Sequence, residues 1–104
     1  MGKPDYVLSF AEDGQGQLSI HGDARGLEIL IEHLSRVREH VLSGDCSHAH
    51  LMTDSWGGKE LSERAPAADG TLIHHVKAYG WTREWVETHG LASPDRSADD
   101  GATA

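Results

Sequence analysis

Residues 23–44 read Asp-Ala-Arg-Gly-Leu-Glu-Ile-Leu-Ile-Glu-His-Leu-Ser-Arg-Val-Arg-Glu-His-Val-Leu-Ser-Gly. Leu27, Leu30, Ile31, Leu34, Val37 and Val41 recur at the spacing of a 3.6-residue period, so 24–43 is predicted to be one amphipathic helix. Asp23 stands at its N-cap, where a carboxylate can accept an otherwise orphaned N–H. Gly44 stands where helices commonly end. Arg25, Glu28, Glu32, Arg36 and Glu39 form the outer, solvated face, and Ile29 falls off the apolar stripe.

Upstream, residues 6–11 are short, apolar and β-prone, and residues 17–22 alternate polar and apolar, the period of a half-buried strand. Glu-Asp-Gly-Gln-Gly (12–16) supplies the turn between them, so the pair reads as a hairpin. Tyr6, Leu8 and Phe10 are expected to face the core with Leu18 and Ile20. Downstream, 48–53 suits a third strand and 71–79 a fourth. Asp54 to Arg64 forms a loop with Gly57-Gly58 as a turn, and Glu60-Leu61-Ser62 is a candidate short strand. Thr82 caps a short helix through Glu87. The expected fold is α+β: a four-stranded antiparallel sheet, β-β-α-β-β, with the long helix packed on one face. Dimerisation would cover the other face. Residues 1–90 are expected to form a single domain, and 91–104, rich in Ser, Asp, Ala and Gly, a disordered tail.

The 104 residues bound the chain to one domain, and 38% hydrophobic content implies a modest core. The lone cysteine, Cys46, excludes an internal disulfide and fits a reducing compartment. No signal-like or membrane-length apolar run is present, so the expected location is the cytoplasm. Seventeen acidic residues against nine basic ones give a net charge of −8. That argues against nucleic-acid binding, which draws on phosphate attraction, and favours a basic partner.

His48-Ala-His50 and His74-His75 invite a metal reading. Alternate strand residues share a face, so His48 and His50 point together and one of the next pair can join them. His48, His50 and His74 are the zinc-site alternative, as in a small hydrolase, with Asp45, Asp54 and Glu60 near in sequence. Strand histidines more often pack flat against backbone groups, and neither His-Glu-x-x-His nor a paired-cysteine motif occurs. Nothing orients a base beside Cys46, so no catalytic residue is assigned, and no cofactor is implied. Gly57-Gly58 lacks the spacing of a phosphate loop.

Four motifs recur in a fixed order: Gly-Asp-x-x-Gly-Leu (22–27), His-x-His-Leu-Met (48–52), Trp-Gly-Gly-x-Glu-Leu-Ser (56–62) and Leu-Ile-His-His-Val-Lys-x-Tyr-x-Trp (72–81). On these, across residues 6–81, the chain resembles immunity protein family 32, small bacterial proteins that neutralise polymorphic toxins encoded beside them. The resemblance implies a binding protein that masks a toxin domain, not an enzyme. An acidic inhibitor suits a basic target such as a nuclease. The candidate toxin contacts are Trp56, Lys59, Glu60, His75, Lys77, Tyr79 and Trp81. The other readings are the metal-dependent hydrolase and a regulatory dimer with no toxin partner.

Overall fold

A computed structural model describes residues 4–64 and 70–90. The order is β1 (Leu8–Glu12), β2 (Leu18–Gly22), α1 (Ala24–Leu42), β3 (Ser47–Met52), a 3₁₀ turn (Asp54–Trp56), β4 (Thr71–Ile73), β5 (His75–Gly80) and α2 (Arg83–His89). The hairpin forms as expected. Asp13 closes its turn by accepting the N–H groups of Gln15 (2.8 Å) and Gln17 (3.1 Å), which hold its carboxyl below its ordinary pKa. The long helix starts on Asp23, whose side chain accepts the Gly26 N–H at 2.8 Å. The short helix starts on Thr82, which accepts the Trp85 N–H at 3.0 Å. The expected tail, 91–104, lies outside the described residues.

The single four-stranded sheet is corrected. The strands form a three-stranded antiparallel sheet, β2-β1-β4, and a two-stranded one, β3-β5. The predicted fourth strand breaks at His74. Before the break, Thr71, Leu72 and Ile73 pair with Glu12, Ala11 and Phe10. After it, His75 to Gly80 pair with Met52 to Ser47. At the break the His74 carbonyl accepts the Thr53 N–H (3.0 Å), and the His74 ring bonds the Thr53 hydroxyl (2.6 Å). The alternation slips by one residue here: Ile73 and Val76 both pack on the core, so the two halves do not share one phase as a single unbroken strand would.

The loop 57–62 joins the sheets. The predicted strand at 60–62 is reduced to a single parallel bridge between Thr53 and Leu61. The Leu61 N–H donates to Met52 O (3.1 Å), and the Ser62 N–H donates to Leu8 O (2.8 Å). The Leu8 N–H returns a bond to Ser62 Oγ (2.9 Å). Leu61 is buried with Leu8, Phe10 and Leu51, and Tyr6, Ile29, Leu30, Ile73 and Val76 pack around them. Much of the Trp-Gly-Gly-x-Glu-Leu-Ser motif is therefore a structural joint.

The helix is rolled from its predicted stripe. Gly26 and Val37 are buried, while Leu27, Ile31 and Leu34 are exposed. Ile29, which falls off the predicted stripe, packs on the core. Two glycines explain the roll by allowing close approach. A Cβ on Gly26 would collide with the Val7 carbonyl, so the first turn of α1 sits directly against backbone. A Cβ on Gly80 would lie 2.5 Å from Val37 Cγ1 and 2.7 Å from Val41 Cγ2. The helix therefore docks through 26, 30, 33, 37 and 41, a 3.6-period row offset from the bulkiest residues. Leu18 and Ile20, expected in the core, are also exposed, because β2 is an edge strand that α1 only partly crosses.

Candidate functional site

Seating α1 against the inner face of β3-β5 leaves the opposite face open. The register sets His48 opposite Tyr79, His50 opposite Lys77 and Met52 opposite His75. These side chains share the outer face because successive strand residues alternate. The inner positions, Ala49, Leu51, Val76, Ala78 and Gly80, turn toward the helix or the core. The sequence thus separates a small, apolar inner face from a ring-rich outer one.

The rings touch in an unbroken run. Trp56 stacks on His74 (5.7 Å between centroids) and lies 6.3 Å from His75. His75 stacks on His50 (5.1 Å), and His48 meets His50 edge-on at 4.8 Å. His48 then reaches Tyr79 (5.7 Å), Tyr79 stacks on Trp81 (5.5 Å), and Trp81 stacks on Trp85 (4.3 Å). His89 closes the run at 4.0 Å from Trp85. Trp56 is 59% exposed and Tyr79 50%.

The imidazoles are coupled. His50 Nδ1 and His75 Nε2 lie 2.9 Å apart, so one ring donates its N–H to the unprotonated nitrogen of the other. Desolvation lowers the His50 pKa, and His48, His75 and Lys77 lower it further by like-charge repulsion. None of His48, His50, Met52, His75, Lys77 and Tyr79 is acidic, so no carboxylate among these positions opposes that repulsion. Lys77 Nζ lies 5.7 Å from the Tyr79 ring centre, within cation–π range.

The sequence-predicted contacts divide. Trp56, His75, Lys77, Tyr79 and Trp81 come together on this surface. Glu60 does not present its carboxylate there: Oε1 accepts the N–H groups of Met52 (3.0 Å) and Lys59 (3.3 Å). Desolvation raises its pKa, but these bonds, its own N–H and the His33 charge outweigh that and hold it below the ordinary value. Lys59 is exposed at the turn, and its carbonyl lies 3.5 Å from the Tyr6 hydroxyl. His75, not His74, joins His48 and His50. His74 turns to Thr53. Among the described residues, no group of three or more His, Cys, Asp or Glu side chains is placed to hold a metal ion. Cys46 is exposed and outside the ring run.

Sequence reasoning missed Trp85 and His89 as members of this surface, and it read His48 and His50 only as candidate metal ligands. Trp85 and His89 were legible as an i, i+4 pair on a short helix, but only the fold brings them to Trp81. No helix among the described residues is long and apolar enough to cross a membrane.

The family described as Immunity protein 32 matches residues 17–76, a span that runs from the end of the hairpin turn into β5 and contains α1, β3 and the joint at 57–62. No curated protein and no solved structure matches the chain. The match covers more than half of the sequence and includes His48, His50, Trp56 and His75, the half of the ring surface nearest the joint, so the chain belongs to the Immunity protein 32 family.

Proposed function

We propose that this protein is a non-catalytic inhibitor that binds a cognate bacterial toxin domain in the cytoplasm and masks its active surface with the outer face of β3-β5. The observation that carries this reading is the exposed run from Trp56 through His75, His50 and His48 to Tyr79 in a chain of an immunity family. Aromatic side chains supply large contact areas at low entropic cost and dominate interface hot spots. The face carries no acid, so the net charge of −8 acts at longer range. It steers a basic toxin, such as a nuclease, into encounter, and the rings then supply the short-range grip.

Co-expression tests the reading. The native chain should protect cells from the toxin encoded beside it. Trp56→Ala with Tyr79→Ala should abolish protection while leaving the circular dichroism spectrum and the melting temperature near native, because both side chains are largely exposed. Full protection by a folded double variant would refute this assignment of the contact face.

A further inference from the structure

β3 pairs with β5 on one side only, and its other edge is open along most of its length. The bonds at its C-terminal end fix which backbone groups point outward. The Thr53 N–H donates toward the β5 side, to the His74 carbonyl (3.0 Å). The Met52 carbonyl instead accepts from the Leu61 N–H (3.1 Å), and the Met52 N–H donates to Glu60 Oε1 (3.0 Å). Backbone groups alternate sides along an antiparallel strand. His50 and His48 lie two and four residues before Met52, so their N–H and C=O groups also point away from β5. Residues 60–61 take up the edge at Met52 and go no further, because the bridge of Thr53 with Leu61 is isolated. Among the described residues, no strand pairs with the rest of this edge. Ser47–Met52 holds none of the lysines, glutamates or prolines that guard exposed edges.

A groove runs along the open edge. Residues 47–50 form one wall, and His33, Arg36, Val37 and His40 of α1 form the other. Successive strand side chains alternate faces, so a wall made of four successive residues is the edge itself. Among the described residues, no carboxylate lines the groove, and Arg36 makes no ion pair. The nearby acids are placed elsewhere. Glu60 Oε1 is taken by the Met52 and Lys59 N–H groups, and Glu32 lies 4.0 Å from Arg25. Asp45 lines a separate groove beside Trp85, and Glu39 is exposed outside the lining. In a chain of net charge −8, this groove is locally cationic and rich in N–H donors.

We propose that an extended, acidic segment of the toxin adds to β3 as a further strand, bonding the backbone groups of His48 and His50 and setting alternate carboxylates against Arg36, His33 and His40. The proposal rests on the toxin reading of the ring face and deepens it, because the side chains of His48 and His50 belong to that face while their backbone forms the groove. In strand addition the main chain supplies affinity, and sites for alternate side chains supply selectivity. The two charge effects act at different ranges. The net charge steers a basic toxin at long range, whereas within a Debye length of about 8–10 Å the local sign decides what docks.

Amide hydrogen exchange of the isotope-labelled full chain, alone and saturated with toxin, tests this. Alone, Ala49 and Leu51 should exchange slowly, and His48 and His50 about tenfold faster or more, because their N–H groups meet water. In the complex, His48 and His50 should slow by about 100-fold or more. Charge reversal gives a second reading. Arg36→Glu and Arg38→Glu, both at exposed positions of α1, make the chain equally more acidic, but of the two only Arg36 lines the groove. Arg36→Glu should raise the toxin Kd about tenfold or more with unchanged circular dichroism. Arg38→Glu, which acts through net charge, should leave that Kd unchanged or lower it. A saturated complex in which His48 and His50 still exchange fast would overturn the proposal and leave the ring-face reading standing, whereas no complex at all would overturn both. Equal effects of the two substitutions would also overturn it. So would slow exchange at His48 and His50 in the free chain: its loss on removing 91–104 would give the edge to the chain's own C-terminal segment, and its loss on dilution would give it to a second copy.

Discussion

Replacing Gly80 tests how the helix is seated. A Cβ at this position would lie 2.5 Å from Val37 Cγ1, 2.7 Å from Val41 Cγ2 and 3.4 Å from the Val37 carbonyl. Two of these atoms belong to β-branched side chains with stiff χ1 angles, so α1 must shift outward as a unit. Overpacking of this kind costs about 1–3 kcal/mol. The lower chain entropy of alanine in the unfolded state returns about 0.4–1 kcal/mol. Gly80→Ala should therefore lose about 1–2 kcal/mol net, and Tm should fall by about 4–8 °C per kcal/mol for a domain of this size. Urea unfolding followed by circular dichroism and tryptophan fluorescence measures the loss directly. Val37→Ala removes the nearest obstructing methyl, so the double variant should be less destabilised than the sum of the singles, with a coupling of about 0.5 kcal/mol or more. A Gly80→Ala protein as stable as native, or strictly additive losses, would refute the close approach. The roll of α1 that exposes Leu27, Ile31 and Leu34 would fall with it.

Three further outcomes follow from named contacts. Ser62→Ala should cost about 1–3 kcal/mol by denaturant unfolding, because the buried Leu8 N–H loses its acceptor; an unchanged midpoint would show that the joint at 57–62 is dispensable. His50 has a lowered pKa, so in the window below the ordinary imidazole value of about 6.5 the unfolded chain holds more protons at this site than the folded one. Its contribution is fully present above that value and is lost as pH falls through the folded pKa, so native stability should drop on acidification and drop less steeply in His50→Gln, as read from Tm against pH. Equal slopes would contradict the coupling of His50 to His48, His75 and Lys77. A chain ending at Gly90 is expected to keep its Tm within about 2 °C of full length, a shift worth well under 1 kcal/mol; a larger loss would place part of the folded unit beyond that residue.

The elements were largely legible in the sequence, and their relations were not. The ends of α1 could be read because Asp23 and Gly44 are chemical punctuation. Its roll could not, because it depends on Gly26 meeting the Val7 carbonyl and Gly80 meeting Val37 and Val41, contacts between segments distant in sequence. The strand at 71–79 could be read from its composition. Its break at His74 was not read, because one phase was carried through 71–79, whereas the core-facing side slips from Ile73 to Val76 as the strand trades β1 for β3. The outer face followed from period two alone for His48, His50 and Tyr79. The choice of His75 over His74 required the cross-strand register. Glu60 illustrates the opposite case: a charged residue in a motif suggests a contact, and the fold gives its carboxylate the Met52 and Lys59 N–H groups to accept. Burial of Leu61 and Ser62 shows that much of the same motif serves the joint between sheets, with Trp56 left outside it.

The central claim concerns which face meets the toxin. Titrating the isotope-labelled protein with the toxin domain, and following the indole N–H signals of Trp56, Trp81 and Trp85 and the backbone amides of β3 and β5 by NMR, tests it most directly. The account predicts that these signals shift together and saturate at one equivalent, while the amides of β2 and of the exposed α1 stripe stay in place. Saturating shifts confined to β2 and α1, with the three indoles unmoved, would contradict it.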